Sequence, residues 1–279
     1  MTQHTIEVVS NEQRVFPPPE EFAKRAAVAN YEQYRALYEQ SIADPETFFG
    51  ERKSELHWFK SPTQVLEWNP PFAKWFADGT LNLAYNCVDR HVQAGLGDKI
   101  AYVWEGEPGD IRKLSYAELQ REVSRCANAL ESLGIVAGDR VGIYMGMVPE
   151  AAIAMLACAR IGAIHSVIFG GFAAEAIADR LNDARAKAVI TQDGTYRRGA
   201  AFPLKAQVDK ALESVPSVEH VIVLERTRTP ETSTELKPGR DHLWSQLVAT
   251  ASDVHEAKPF PAEHPLFILY TSGTTGKPK

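Results

Sequence analysis

The residues best suited to chemistry lie at the end of the sequence. The run Ile268-Leu-Tyr-Thr-Ser-Gly-Thr-Thr-Gly-Lys-Pro-Lys279 sets small and hydroxylated residues directly behind an apolar stretch. Glycines at 273 and 276 let the backbone bend until successive N–H groups point inward, which makes an anion nest. Thr271, Ser272, Thr274 and Thr275 add hydroxyl donors, and Lys277 adds a compact positive charge suited to phosphate. Thr271, Ser272, Gly273, Thr274, Thr275, Gly276 and Lys277 together are thus a candidate loop for a nucleoside triphosphate. The loop is not of the Walker type, because its glycines stand too close together and no Ser or Thr follows the lysine. An ordinary Ser/Gly/Thr surface turn is the competing interpretation. A Gly-Lys pair alone would favour that turn; the full run behind an apolar strand favours the anion loop.

Two other segments combine anion-compatible residues with strand ends. Phe169-Gly170-Gly171 closes an apolar stretch, and adjacent glycines allow another backbone or a ligand to approach closely. Tyr196-Arg197-Arg198-Gly199-Ala200 carries two guanidinium groups, each able to hold a phosphate through two parallel hydrogen bonds. A solvated arginine pair is the alternative there. His91 and His165 have no partner at metal or triad spacing, so both read as structural. Asp89 and Arg90 read as an internal ion pair or helix-end contacts. Cys87, Cys126 and Cys158 form no CxxC pair and no zinc spacing. No metal site is predicted from these residues.

The elements that must position these segments follow from periodicity. Apolar residues recur at helical spacing from Glu21 to Gln40, and Asp44-Pro45 is expected to end that helix. Residues 46–79 are aromatic and proline-interrupted and read as irregular. A helix is expected over Leu81–Gln93 and a strand over Ile100–Trp104. Ser115-Tyr-Ala-Glu118 is a capping box that opens a helix to about Leu133. Beyond it strands and helices alternate: strand Arg140–Met145, helix Pro149–Ile161, strand Ala163–Phe169, helix Ala173–Asp183, strand Ala188–Thr191, helix Leu204–Glu213 and strand Val218–Leu224. A polar loop Glu225–Arg240, a short helix Leu243–Ala249 and a last strand Leu266–Tyr270 complete the pattern. Such alternation predicts an α/β fold with a mostly parallel sheet. We divide the chain into a loose arm (1–20), a helical and irregular cap (21–84) and the α/β part (85–279).

Composition narrows the partners. The 279 residues carry 30 Lys and Arg against 36 Asp and Glu, a formal charge of −6, with no basic block. Bulk nucleic-acid binding is therefore excluded, and an anionic ligand must be held by a few placed groups. No segment approaches the roughly 20 apolar residues of a membrane span. The N-terminus lacks the apolar stretch of a signal peptide, and the cysteines are unpatterned, so a cytoplasmic location is expected.

The phosphate-loop run resembles the signature of the adenylate-forming superfamily, which includes acyl-CoA synthetases, luciferases and peptide-synthetase adenylation domains. Further segments are similar to the acetyl-CoA synthetase family: Trp75-Phe-Ala-Asp-Gly-Thr-Leu-Asn82, Asn86-Cys-Val-Asp-Arg-His91, Val103-Trp-Glu-Gly106, Met147-Val-Pro-Glu150, Ala157-Cys-Ala-Arg-Ile-Gly-Ala163, His165-Ser-Val-Ile-Phe-Gly-Gly-Phe172 and Pro265-Leu-Phe-Ile-Leu-Tyr270. The resemblance implies the first part of the large adenylate-forming domain. It implies a ligase that joins acetate to ATP, with Mg²⁺, and passes the acetyl group to coenzyme A (CoA). It places Thr271 to Lys277 on the ATP phosphates, and Phe169, Gly170 and Gly171 in the wall of the CoA channel. Arg197 would contact the nucleotide part of CoA. Arg198, Gly199 and Ala200 belong to the same segment, and Arg198 stands in for the basic residue that the family often has where Ala200 is found. Gly146 is a second departure, since the family usually has proline there. Cys87 favours acetate over propionate, because propionate-preferring relatives are expected to carry Ala. A ligase for propionate or another short acid and a non-catalytic CoA- or nucleotide-binding module are the alternatives. The resemblance also implies that the acetate pocket, the adenine contacts and the catalytic lysine belong to a part beyond Lys279. The chain alone is therefore expected to be inactive.

Overall fold

The computed structural model describes residues 15–233 and 235–271. Two compact units divide the chain at Ser54/Glu55, a position inside the segment 21–84. In the first unit the expected helix over 21–40 is replaced by a short turn of helix, Glu20–Ala23, and a longer helix, Tyr31–Ala43. Asn30 starts the latter by accepting the Gln33 N–H at 2.9 Å. Asp44-Pro45 begins a helix as well as ending one. The Asp44 carboxylate accepts the Thr47 N–H at 3.0 Å, and Pro45 occupies the first turn of Pro45–Arg52, where its missing N–H costs nothing. The segment 46–79 is accordingly more regular than its prolines suggested, and it also holds an antiparallel hairpin, Leu66–Asn69 with Phe72–Trp75.

The second unit is an α/β structure around a six-stranded sheet. Its strands are β1 (Arg140–Met145), β2 (Ile164–Phe169), β3 (Ala188–Gln192), β4 (His220–Leu224), β5 (Asp241–Leu243) and β6 (Phe267–Ile268). Their spatial order is β5-β4-β3-β1-β2-β6, and every neighbouring pair is parallel. Five helices accompany the sheet: α1 (Tyr116–Ser132), α2 (Pro149–Ile161), α3 (Ala174–Ala184), α4 (Leu204–Ala211) and the short α5 (Trp244–Leu247). The central strands read as continuous apolar runs because both faces are covered. Side chains alternate between the faces. Val141, Ile143 and Ile190 join a core with α1 and α2, while Tyr144, Val189 and Val223 join one with α3 and α4.

Local signals explain why these elements form. The Ser115 hydroxyl accepts the Glu118 N–H at 3.3 Å, and the Glu118 carboxylate accepts the Ser115 N–H at 2.8 Å, so the capping box opens α1. Gly162 ends α2 in the left-handed region at φ 75°. The expected helix near Leu81–Gln93 is present but partly widened into π-turns, over Tyr85–Asp89 and Val92–Leu96. The last strand shrinks to Phe267–Ile268.

Asp89 pairs with Arg160 rather than with Arg90. Two hydrogen bonds, at 2.7 and 3.0 Å, join the buried carboxylate to the guanidinium, while Arg90 donates to the Glu55 carbonyl. Sequence neighbours on a helix do not face one another, which is why the adjacent pairing failed.

Candidate functional site

Strands β1 and β2 lie side by side, but their following connections leave toward opposite faces of the sheet. The one after β1 enters α2, and the one after β2 enters α3. Such a switch point opens a crevice beyond the carboxyl ends of the strands. A cleft of about 270 Å³ occupies this crevice. It is lined by Met145–Val148 after β1, by Phe169–Gly171 after β2, by Thr195–Arg197 after β3 and by Arg226 after β4, with Trp104–Glu107 added from outside the sheet.

The glycines beyond β2 are required by close approach. A side chain at Gly170 would place its Cβ 2.9 Å from the Met145 carbonyl oxygen. At Gly171 it would meet the Phe169 ring at 2.6 Å and the Arg197 guanidinium at 2.9 Å. Beneath this loop the buried Tyr144 hydroxyl donates to the Phe172 carbonyl at 2.8 Å. Burial pushes the Tyr144 phenol up to about 12, with Arg197 acting against that shift, so the hydroxyl stays a donor through the neutral range. Arg197 thus lies across a bare backbone ledge beyond the carboxyl ends of the strands, with its side chain exposed to solvent.

Beyond β3 the chain forms an antiparallel hairpin, Gly194–Arg197 with Ala200–Pro203, between a strand and a helix where no further strand was expected. Arg198 and Gly199 make its turn, both at positive φ (53° and 77°). Positive φ at both central residues is the signature of a two-residue hairpin turn. The hairpin separates the segment's residues. Arg197 lines the cleft; Arg198, Gly199 and Ala200 are not among its lining residues. The Gly199 N–H instead donates to the Glu107 carboxylate at 2.6 Å, tying one hairpin tip to another.

Trp104 and Arg226, neither of them expected as site residues, complete the cleft. Trp104 projects from the hairpin Ile100–Glu105/Ile111–Ser115, and its indole N–H donates to the Met147 carbonyl at 2.7 Å. Arg226 lies in the polar loop expected over Glu225–Arg240. The Asp193 carboxylate fixes that loop by accepting the N–H groups of Gly194, Arg226, Thr227 and Arg228 at 2.6–3.2 Å. Only the acidic side chain just after β3 could have hinted at this clasp, since an Asp there is placed to bond local backbone. Gly146, where the family was expected to show proline, donates its N–H to the Gln192 side chain. A proline would have no such donor.

Of the predicted phosphate loop, only Thr271 falls within the described residues, where it is exposed. Ser272, Gly273, Thr274, Thr275, Gly276 and Lys277 lie outside them. Among the described residues no group of three or more His, Cys, Asp or Glu side chains is placed to hold a metal ion. No helix among them is long and apolar enough to cross a membrane. His165 is buried between β1 and β6 against Phe267, at the sheet rather than in the cleft.

Comparison with known proteins decides the family. The sequence profile described as AMP-binding enzyme matches residues 88–279, well over half of the chain. The chain belongs to the AMP-binding enzyme family. The profile described as acetyl-coenzyme A synthetase N-terminus matches residues 34–87. Similar relatives are acetyl-coenzyme A synthetases from Chlorobaculum tepidum (51% identical over 278 residues), Streptomyces avermitilis (54% over 280) and Mycobacterium tuberculosis (53% over 283). The alignments cover all of this chain and 42% of each relative. The α/β architecture is thus that of the N-terminal part of the AMP-binding domain.

Proposed function

We propose that this chain provides the CoA cleft and the ATP-phosphate loop of an AMP-forming acetate–CoA ligase. The observation that carries this is the cleft at the β1/β2 switch point, with Arg197 over the Gly170-Gly171 ledge, in a chain whose relatives are acetyl-coenzyme A synthetases. In the proposed reaction an acetate oxygen attacks the α-phosphorus of ATP and pyrophosphate leaves. The CoA thiol then attacks the acetyl carbonyl, loses its proton, and AMP leaves. Acetate and ATP are both negative, so the chain's task is positioning and charge neutralisation. Thr271 to Lys277 hold the phosphates; Phe169, Gly170, Gly171 and Arg197 hold the CoA side, with Arg198, Gly199 and Ala200 at the neighbouring hairpin turn. Mg²⁺ would accompany ATP and neutralise phosphate charge. In the proposed division of the chain, 1–20 is an arm, 21–84 a cap and 85–279 the catalytic-domain portion, acting in the cytoplasm.

Two measurements test this. The chain should bind CoA in a calorimetric titration, and should by itself give no acetate-dependent exchange of labelled pyrophosphate into ATP. A chimera joining residues 1–279 to the remaining length of the Streptomyces avermitilis relative should carry out the whole reaction. In it, Lys277→Ala should suppress the exchange, whereas Arg197→Ala should spare the exchange and raise the KM for CoA. Equal loss of exchange and overall reaction in Arg197→Ala would remove Arg197 from the CoA site.

A further inference from the structure

The cleft contains a second guanidinium, that of Arg226. Arg226 lies with its Cζ 5.0 Å from the centroid of the Trp104 ring and 5.3 Å from that of Tyr196. Its Nη2 donates to Asp110 at 2.9 Å, and its backbone N–H is held by Asp193 at 2.8 Å. Space for this arrangement depends on Gly106. A Cβ there would stand 2.2 Å from the Asp110 carboxylate and 2.7 Å from Arg226 Nη2. The Trp104-Glu-Gly106 segment therefore has a purpose in the cleft: it supplies an aromatic surface beside Arg226 and leaves room for its ion pair.

We propose that Arg226 is a second cation of the CoA site, gripping a phosphate of the CoA nucleotide together with Arg197; this rests on the CoA reading of the cleft. A guanidinium donates hydrogen bonds in its plane, so aromatic neighbours can stabilise it without consuming its donors. Its carboxylate partner, Asp110, has a side chain 42% exposed. The Arg226 side chain is 21% exposed, so the pair is half-shielded, and a phosphate that reaches the cleft can compete with the more exposed carboxylate for the guanidinium. CoA carries several phosphate charges, and the chain's formal charge is −6, so the site must gather local cations. Glu105 and Glu107 face the same opening, and Glu107 is engaged by the Gly199 N–H.

Calorimetric titration of the 279-residue chain with CoA at low and high salt tests the proposal. Arg226→Ala and the shape-preserving Arg226→Gln should both weaken CoA binding about tenfold at low salt, as expected for a lost charged hydrogen bond. The deficit should narrow at high salt, where charge is screened. Arg226→Lys, which keeps the charge but not the fork, should fall between. A loss that salt leaves unchanged marks a merely structural role and overturns the proposal, as does unaltered affinity in both neutral variants. If Arg197→Ala weakens binding while the Arg226 variants do not, only this inference fails. A wild-type chain that does not bind CoA overturns the reading of the cleft and this inference with it.

Discussion

Arg160 and Arg197 are the same residue type in opposite circumstances. Arg160 has a side chain only 2% exposed; it meets Asp89 through two hydrogen bonds and also donates to the His255 backbone carbonyl. Asp89 in turn accepts from Gln120 at 2.9 Å, and Asn82 joins the Arg160 and Lys258 carbonyls at 3.0 and 2.8 Å. That network ties together the helical segment before β1, α1, α2 and the chain near residue 257. Arg197 is exposed and lies over a bare glycine ledge at the strand ends. A buried arginine must have its donors filled or the fold fails; an arginine at a ligand edge is useful because donors remain for something else. Burial and partner saturation, not residue type, separate scaffold from site.

The contrast is sharpest in stability. Asp89→Ala strands the Arg160 charge in the interior and should cost about 3–5 kcal/mol, read as a shift of the urea midpoint. The double replacement Asp89→Leu with Arg160→Met removes both charges and should recover much of that loss. If the single substitution costs under about 1 kcal/mol, the scaffold half of the comparison fails.

Arg197→Ala should show the reverse signature. CoA affinity should drop roughly tenfold, while stability changes by less than about 0.5 kcal/mol, as for an exposed side chain. A large fall in melting temperature would make Arg197 part of the scaffold. Between these extremes stands Ser115, whose hydroxyl is committed to a helix end rather than to a ligand. Ser115→Ala should lower stability by about 0.5–2 kcal/mol with CoA affinity unchanged, checked by denaturation and titration in parallel.

The smallest effect concerns pH. Burial disfavours the charged form of His165, which lowers its pKa below the ordinary 6.5. Its Nδ1 finds no hydrogen-bond partner among the described residues. The unfolded chain therefore binds the proton more readily than the folded one. Stability from this group is fully present above pH ~6.5 and is lost as pH falls through the folded value. His165→Gln should flatten the acid limb of the stability profile over that range. Identical slopes in the two proteins would show that this histidine is not desolvated.

Much of this molecule was determined by local sequence. The Ser115–Glu118 box, Pro149 at a first turn and the apolar runs at 140–145, 164–169 and 188–192 specify their elements because capping and strand burial act over a few residues. The Gly170-Gly171 ledge was legible for the same reason, as two adjacent residues without side chains after a strand. What tertiary structure alone decided is which distant groups meet. Asp89 chose Arg160, 71 residues away, over its neighbour Arg90. Likewise the parallel sheet carried Arg226 to the cleft that Arg197 lines, and a hairpin turn left Arg198 outside it. Pairing across the sheet depends on strand order and crossover direction, which no short stretch of sequence encodes, so the cleft could be built only once the strands had been placed.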